Sequence, residues 1–158
     1  MDYSSKIYRL GRTLPIFENC KIVFTNGCFD LLHPGHLSYL HSARELGDVL
    51  LVAMNSDNSV RRLKGANRPI NDFEFRATML SYFEFIDAII EFDDETPFDL
   101  IQKFEPKVLV KGSDYKEEDV VGGNFVKMNG GEVVLIDYIV GFSSTTILNR
   151  IEISNRLI

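Results

Sequence analysis

The sequence predicts an α/β fold: a doubly wound parallel sheet of five strands with helices on both faces. Three observations carry this expectation. After residue 20, short apolar runs alternate with stretches of helical period. The runs are continuously apolar rather than alternating, as in strands buried on both faces. Polar, glycine-containing segments follow the runs, at the edge where such sheets bind ligands.

Each element has its own signal. Ile22, Val23, Phe24 and Thr25 form the first strand. Leu37, Leu40, Ala43 and Leu46 then repeat at helical spacing, which predicts a helix over 36–46, broken by Gly47 and Asp48. The second strand covers 49–54. Asn71 with Glu74 reads as a capping box for a helix over 72–82. Ala88, Ile89 and Ile90 are the third strand. Thr96 as N-cap with Pro97 at the first helical position starts a helix reaching 104. Val108, Leu109 and Val110 are the fourth strand; a polar helix follows, ahead of Gly130 and Gly131. The fifth strand covers 133–136. Ser143 or Ser144 caps a last helix carrying Ile147, Leu148 and Ile151. Residues 1–20 are expected to be an arm or helix, and 21–158 a single domain.

Composition narrows the function. A chain of 158 residues fits one domain with a sizeable core. At 45% hydrophobic and 25% charged it is typical of globular proteins. A formal net charge of -6 makes it a poor general binder of nucleic acid. No apolar run has the length of a membrane span, and the start lacks a signal-peptide core, so no membrane and a cytoplasmic location are expected. Cys20 and Cys28 have neither metal-ligand nor CxxC spacing and are read as reduced thiols.

The chemistry concentrates in Thr25-Asn26-Gly27-Cys28-Phe29-Asp30-Leu31-Leu32-His33-Pro34-Gly35-His36. A strand, a tight turn and a helix N-terminus aim backbone N–H groups at one point, which suits an anion. Gly35 lets a phosphate approach the backbone, between two histidines that can both donate to it. In this setting the G-x-F-D-x-x-H-x-G-H signature resembles that of the nucleotidyltransferases related to class I aminoacyl-tRNA synthetases. The resemblance implies a Rossmann-like domain of the HxGH type and an enzyme that joins a phosphorylated small molecule to a nucleotide, releasing pyrophosphate. It covers residues 22–151.

The resemblance also implies roles. His33, His36 and Lys64 would be catalytic. Thr25, Asn26, Gly27, Cys28, Phe29 and Gly35 would bind nucleotide, with Lys111, Gly112 and Asp114 of the Lys111-Gly112-Ser113-Asp114-Tyr115 segment. Ser144, Thr145 and Thr146 resemble the family's S-T-T segment at a helix start and would contact phosphate. Lys64 lies in a basic cluster with Arg61 and Arg62, read as a loop. Asn55, Asp57 and Arg76 would face the substrate. Asp30 could cap the helix, bind the acceptor or hold a metal; a polar ligand contact is favoured. Cys28 is read as a small packing residue rather than a nucleophile, and His41 as exposed.

Three segments (25–36, 55–69 and 109–115) resemble the adenylyltransferase half of bacterial ADP-heptose synthases. That implies transfer of AMP from ATP to D-glycero-β-D-manno-heptose 1-phosphate, with Mg2+ accompanying ATP and no metal ligands assigned. A separate sugar kinase would supply the substrate, and a homodimer is open by analogy. The alternatives are a glycerol-3-phosphate cytidylyltransferase, an archaeal-type FAD synthase, and a nucleotide-sensing module on the same fold. The cytidylyl signature carries an arginine before its glycine; none precedes Gly141, and one more residue separates that glycine from the S-T-T.

Overall fold

The computed structural model describes residues 3–137, 139 and 141–155. All five expected strands form, and the N-terminal segment adds a sixth. β1 (Ile7–Tyr8), β2 (Ile22–Gly27), β3 (Val49–Asn55), β4 (Ala88–Phe92), β5 (Val108–Gly112) and β6 (Glu132–Ile136) make one sheet in the order β1-β4-β3-β2-β5-β6. Every pairing is parallel. After β1, which lies at one edge beside β4, the chain crosses to β2 in the middle, builds outward through β3 and β4, then returns to build β5 and β6 on the other side. The direction of winding therefore reverses between β2 and β5, and a crevice opens beyond their carboxyl ends.

The helices are α1 (Pro34–Arg44), α2 (Asp57–Lys64), α3 (Phe73–Ser81), α4 (Phe98–Phe104), α5 (Gly123–Met128) and α6 (Ser144–Asn155). Successive strand residues point to opposite faces. Val23, Leu50, Val52 and Met54 thus pack against Tyr39, Leu40 and Ala43 of α1 and Ala77 and Leu80 of α3. Phe24, Leu51, Ala53 and Ile90 pack on the other face against Ile101 of α4 and Val126 of α5. Two apolar layers explain why the central strands are continuously apolar. Among the described residues no helix is long and apolar enough to cross a membrane.

Three local expectations change. The segment read as a basic loop is helix α2. It carries little apolar period, since only Val60 among its apolar residues is buried, and Ser56 starts it by accepting from Ser59 N–H. Helix α3 is capped by Asp72, which accepts from Phe75 N–H, and not by Asn71. Asn71 is drawn instead to Asp30, bonding it through both its backbone and its side chain. Pro97, not Thr96, holds the N-cap of α4, without a side-chain cap bond. The described part of the N-terminal segment packs on the domain: Tyr3 stacks on Tyr82 at 4.3 Å, Lys6 donates to Phe83 O, and Leu10 N–H donates to Glu91.

The two-layer core sets a stability expectation. Leu51→Ala removes a fully buried side chain from the central sheet and should cost about 2–5 kcal/mol in urea unfolding. Met128→Ala, at a position 87% exposed, should change stability by no more than about 0.5 kcal/mol.

Candidate active site

The crevice holds a cavity of about 510 Å³. Asn26, Gly27 and Cys28 at the end of β2 and Lys111 and Gly112 at the end of β5 face it from the two sides of the switch point. Asn55 of β3, Lys64 of α2 and Ser144 of α6 join them. Segments far apart in sequence therefore meet at one edge, as the loop positions predict.

Two helix N-termini frame the centre. His33 is the N-cap of α1, with Pro34 in the first turn. Its Nδ1 accepts from His36 N–H at 3.3 Å, so the proton of the neutral ring sits on Nε2. The rings of His33 and His36 stack at 3.8 Å. A Cβ on Gly35 would lie 3.0 Å from His33 Nδ1 and 3.5 Å from Phe142 Cβ. Glycine is thus needed for this ring packing, in addition to any approach by phosphate. At α6, Ser143 is the cap and accepts from Thr146 N–H at 3.0 Å. Ser144 Oγ donates to Leu31 O at 3.3 Å and ties that helix to the histidine loop.

His36 faces the cavity, and burial pushes its imidazole down to about 4, assisted by His33 and Lys64. Burial also lowers the His33 imidazole. Both rings are therefore neutral near pH 7 and act as N–H donors; an anion between them would raise both. Among the described residues, His36 Nδ1 and Asn26 Oδ1 are buried without a hydrogen-bond partner. Unsatisfied polar atoms beside an open cavity mark a place for a polar ligand.

The remaining expected residues divide by what they touch. Lys64 lines the cavity, whereas Arg61 donates to Asn58 and Arg62 to Asp93. Asp114 lines it beside Lys111, whose Nζ lies 5.1 Å from the Tyr115 ring centre. Burial pushes the Lys111 ammonium down to about 8, against the pull of Asp114. Burial pushes the Cys28 thiol up, and its Sγ contacts Asn55 Oδ1. Phe29 is buried with φ +48°, its ring beneath Gly27 and 5.4 Å from His36. His41 is exposed against Phe85.

Several expected ligand contacts are committed to protein instead. Thr25 is buried, its hydroxyl bonded to Tyr39 at 2.7 Å. Thr145 is exposed outside the cavity lining, and the Thr146 hydroxyl pairs with Ser143. Asp30 lines the cavity but is only 3% exposed, and its carboxylate has protein partners. It accepts from Arg68 Nε at 2.6 Å and from the backbone of Ile70 and Asn71, which together hold its carboxyl below the usual range. Arg76, expected near substrate, is buried rather than on the surface. It is 1% exposed and donates to Cys28 O, Asn55 O and the Asp57 carboxylate. Both residues brace the loops that carry the site. Tyr138 and Val140, in the segment before Gly141, lie outside the described residues.

The loop after β4 also reaches the cavity, through Phe92, Glu95, Thr96 and Pro97. The carboxyl-edge rule, applied to the third predicted strand, would have found it in the polar run that follows.

A doubly wound sheet with an HxGH turn at its switch point and two helix N-termini at its cavity defines a nucleotidyltransferase-type α/β protein. A family model described as Cytidylyltransferase-like matches residues 24–150, and the chain belongs to that family. It is an enzyme of the nucleotidyltransferase class. The chain is 49% identical over 151 residues to the "Bifunctional protein HldE" of Campylobacter fetus, covering 95% of this chain and 32% of that protein. To the protein of the same name from Campylobacter concisus it is 56% identical over 132 residues, covering 84% and 27%. It thus spans about a third or less of the curated relatives it matches. The crystal structure of a lipopolysaccharide core biosynthesis protein from Thermoplasma volcanium is similar at TM-score 0.62 and 26% identity, covering 77% of this chain and 98% of that one.

The depressed ammonium makes a pH prediction. Lys111 is charged below about 8 and neutral above it. If ATP binds against Lys111, as the resemblance implies, its affinity should hold toward neutral pH and fall as pH rises through 8. Titration calorimetry with ATP from pH 7 to 9.5 should show the inflection, and Lys111→Arg, which stays charged, should abolish it.

Proposed function

We propose that this chain transfers AMP from ATP to D-glycero-β-D-manno-heptose 1-phosphate, forming ADP-heptose and releasing pyrophosphate, as a step toward a surface-glycan precursor such as lipopolysaccharide core. The observation that carries the reading is the near half-identity to the HldE proteins over 84–95% of this chain, with a cavity of ligand-site size, about 510 Å³, at the switch point. A sugar kinase would make the substrate.

In the proposed reaction a phosphate oxygen of the sugar 1-phosphate attacks the α-phosphorus of ATP. The new P–O bond forms as the bond between the α-phosphorus and the bridging oxygen breaks, and pyrophosphate leaves with the electron pair. The attacking oxygen is already anionic, so no strong base is required, and catalysis is positioning plus charge stabilisation. His33 Nε2–H and the His36 ring would donate to the phosphate oxygens. Lys64, at the end of α2, would neutralise charge on the departing pyrophosphate, together with the α6 N-terminus. The Lys111-to-Tyr115 segment would hold the nucleoside.

Among the described residues no three His, Cys, Asp or Glu side chains converge as a metal cage. The donor set fits a Mg2+ held largely by triphosphate oxygens, with Asp114 as the carboxylate on that side. When bound, the ion supplies neutralisation of the triphosphate.

Two predictions follow from these roles. His36→Ala should lower kcat by about a hundredfold or more, the scale of one transition-state donor, while thermal unfolding shows an intact fold. Lys64→Ala should depress kcat more than it raises the KM for the sugar phosphate, and Arg61→Ala should do much less; equal behaviour of the two would reduce the cluster to a diffuse basic patch.

Nucleotide choice tests the reading itself. With β-heptose 1-phosphate and Mg2+, ATP should release pyrophosphate at least about tenfold faster than CTP, a difference of about 1.4 kcal/mol. Rapid turnover of CTP with glycerol 3-phosphate, and none of ATP with the heptose, would assign the chain to the cytidylyl alternative.

A further inference from the structure

Helix α2 carries Lys64 but has little apolar grip on the sheet. Of its two large apolar residues, Val60 is buried and Leu63 is exposed. A helix this short is not stable on its own, so polar contacts must fix it. Arg76 supplies one of them, through Asp57 in the first turn. Others converge on a single carboxylate, Asp93, in the loop after β4.

Asp93 holds α2 at two points. Ser56, the N-cap, donates its hydroxyl proton to Asp93 Oδ1 and accepts from Ser59 N–H at 3.0 Å. A hydroxyl has one proton to give. With that proton committed to Asp93, a lone pair is left for the helix, so the carboxylate orients the cap. Arg62, in the last turn, reaches back toward the N-terminus, as helical side chains lean. It donates from Nη1 to Asp93 Oδ2 at 3.3 Å and from Nη2 to Asp93 O. The Ser56 bond and the Arg62 cation hold the Asp93 carboxyl below its usual range, so it is charged near pH 7. Lys64 follows Arg62 by two positions.

Arg62 is exposed and Asp93 half-buried, and such an ion pair adds little to global stability. What it can do is set the direction of a short helix, and with it the reach of the lysine at its end. Resting on the reading of Lys64 as the group that neutralises the departing pyrophosphate, we infer that Asp93 is a positioning residue. Its carboxylate, gripping Ser56 and Arg62, sets α2 so that the Lys64 ammonium meets one phosphate. Arg62 is then an anchor rather than a phosphate ligand.

A double-mutant cycle separates this role from a general structural one. Pyrophosphate release from ATP with β-heptose 1-phosphate and Mg2+ is measured for the unaltered protein, Asp93→Ala, Lys64→Ala and the double variant. Asp93→Ala should lower kcat about tenfold, the scale of displacing one group, while thermal unfolding shows an intact fold. In the Lys64→Ala background the same change should cost less than about twofold, because the group it positions is gone. Asp93→Asn keeps an oxygen for Ser56 but has no charge for Arg62, and should fall between the unaltered protein and Asp93→Ala. An equal loss in both backgrounds, or no loss in either, overturns the inference and leaves the adenylyltransferase reading standing. Should Asp93→Ala fail to fold, Arg62→Ala runs the same cycle with the same criteria. Calorimetric binding of pyrophosphate with Mg2+ by the same four proteins needs no turnover. There Asp93→Ala should weaken binding at least about threefold, and only when Lys64 is present. If the unaltered protein does not turn over ATP with the heptose, that reading fails and the pyrophosphate cycle decides: a Lys64-dependent loss supports the positioning role, and an independent loss or none overturns it.

Discussion

The guanidinium of Arg76 is the interaction on which the rest of the site depends. It lies fully inside the protein and reaches two backbone carbonyls, Cys28 O and Asn55 O, at the ends of adjacent strands, and the Asp57 carboxylate at the start of α2. A planar cation with several fixed donors can satisfy all three acceptors at once, which lysine cannot. The histidine turn and α2, which carries Lys64, are thereby set relative to each other. A buried charge without such partners would be costly; here the partners are the loops that must be held.

Asp30 performs the complementary task on the other side of the turn. Its carboxylate collects Arg68 and the Ile70 and Asn71 amides, closing the segment after α2 back onto the HxGH loop. Lys64 thus sits between two tethers, Arg76 with Asp57 before it and Arg68 with Asp30 after it. A lysine on a flexible stem needs such placement if it is to act at one phosphate rather than at any of them. The neutral, stacked histidines fit the same logic, since burial keeps both uncharged until an anion arrives.

Much of this was legible in the sequence, for reasons that also mark the limits. Continuous apolar runs revealed the five parallel strands because a sheet covered on both faces leaves little room for polar side chains. The HxGH turn was legible because its setting, strand then helix, could be read beside it. Helix α2 was missed because a cap at Ser56 and one buried valine start it, without an apolar stripe. Arg76 and Asp30 were expected near substrate because motif position says that a polar residue matters; the protein groups that they bind were not legible. Their partners lie 19 to 48 residues away, beyond what spacing can show. The β4 loop escaped because its polar run contains no glycine to signal it.

The central claim is that Arg76 assembles the site locally rather than stabilising the fold at large. Hydrogen–deuterium exchange of Arg76→Leu against the unaltered protein tests it most directly. The account predicts faster exchange across residues 26–31 and 55–64, with β5, α5 and β6 unchanged. Equal acceleration throughout the sheet, or no change at the two loops, would contradict it.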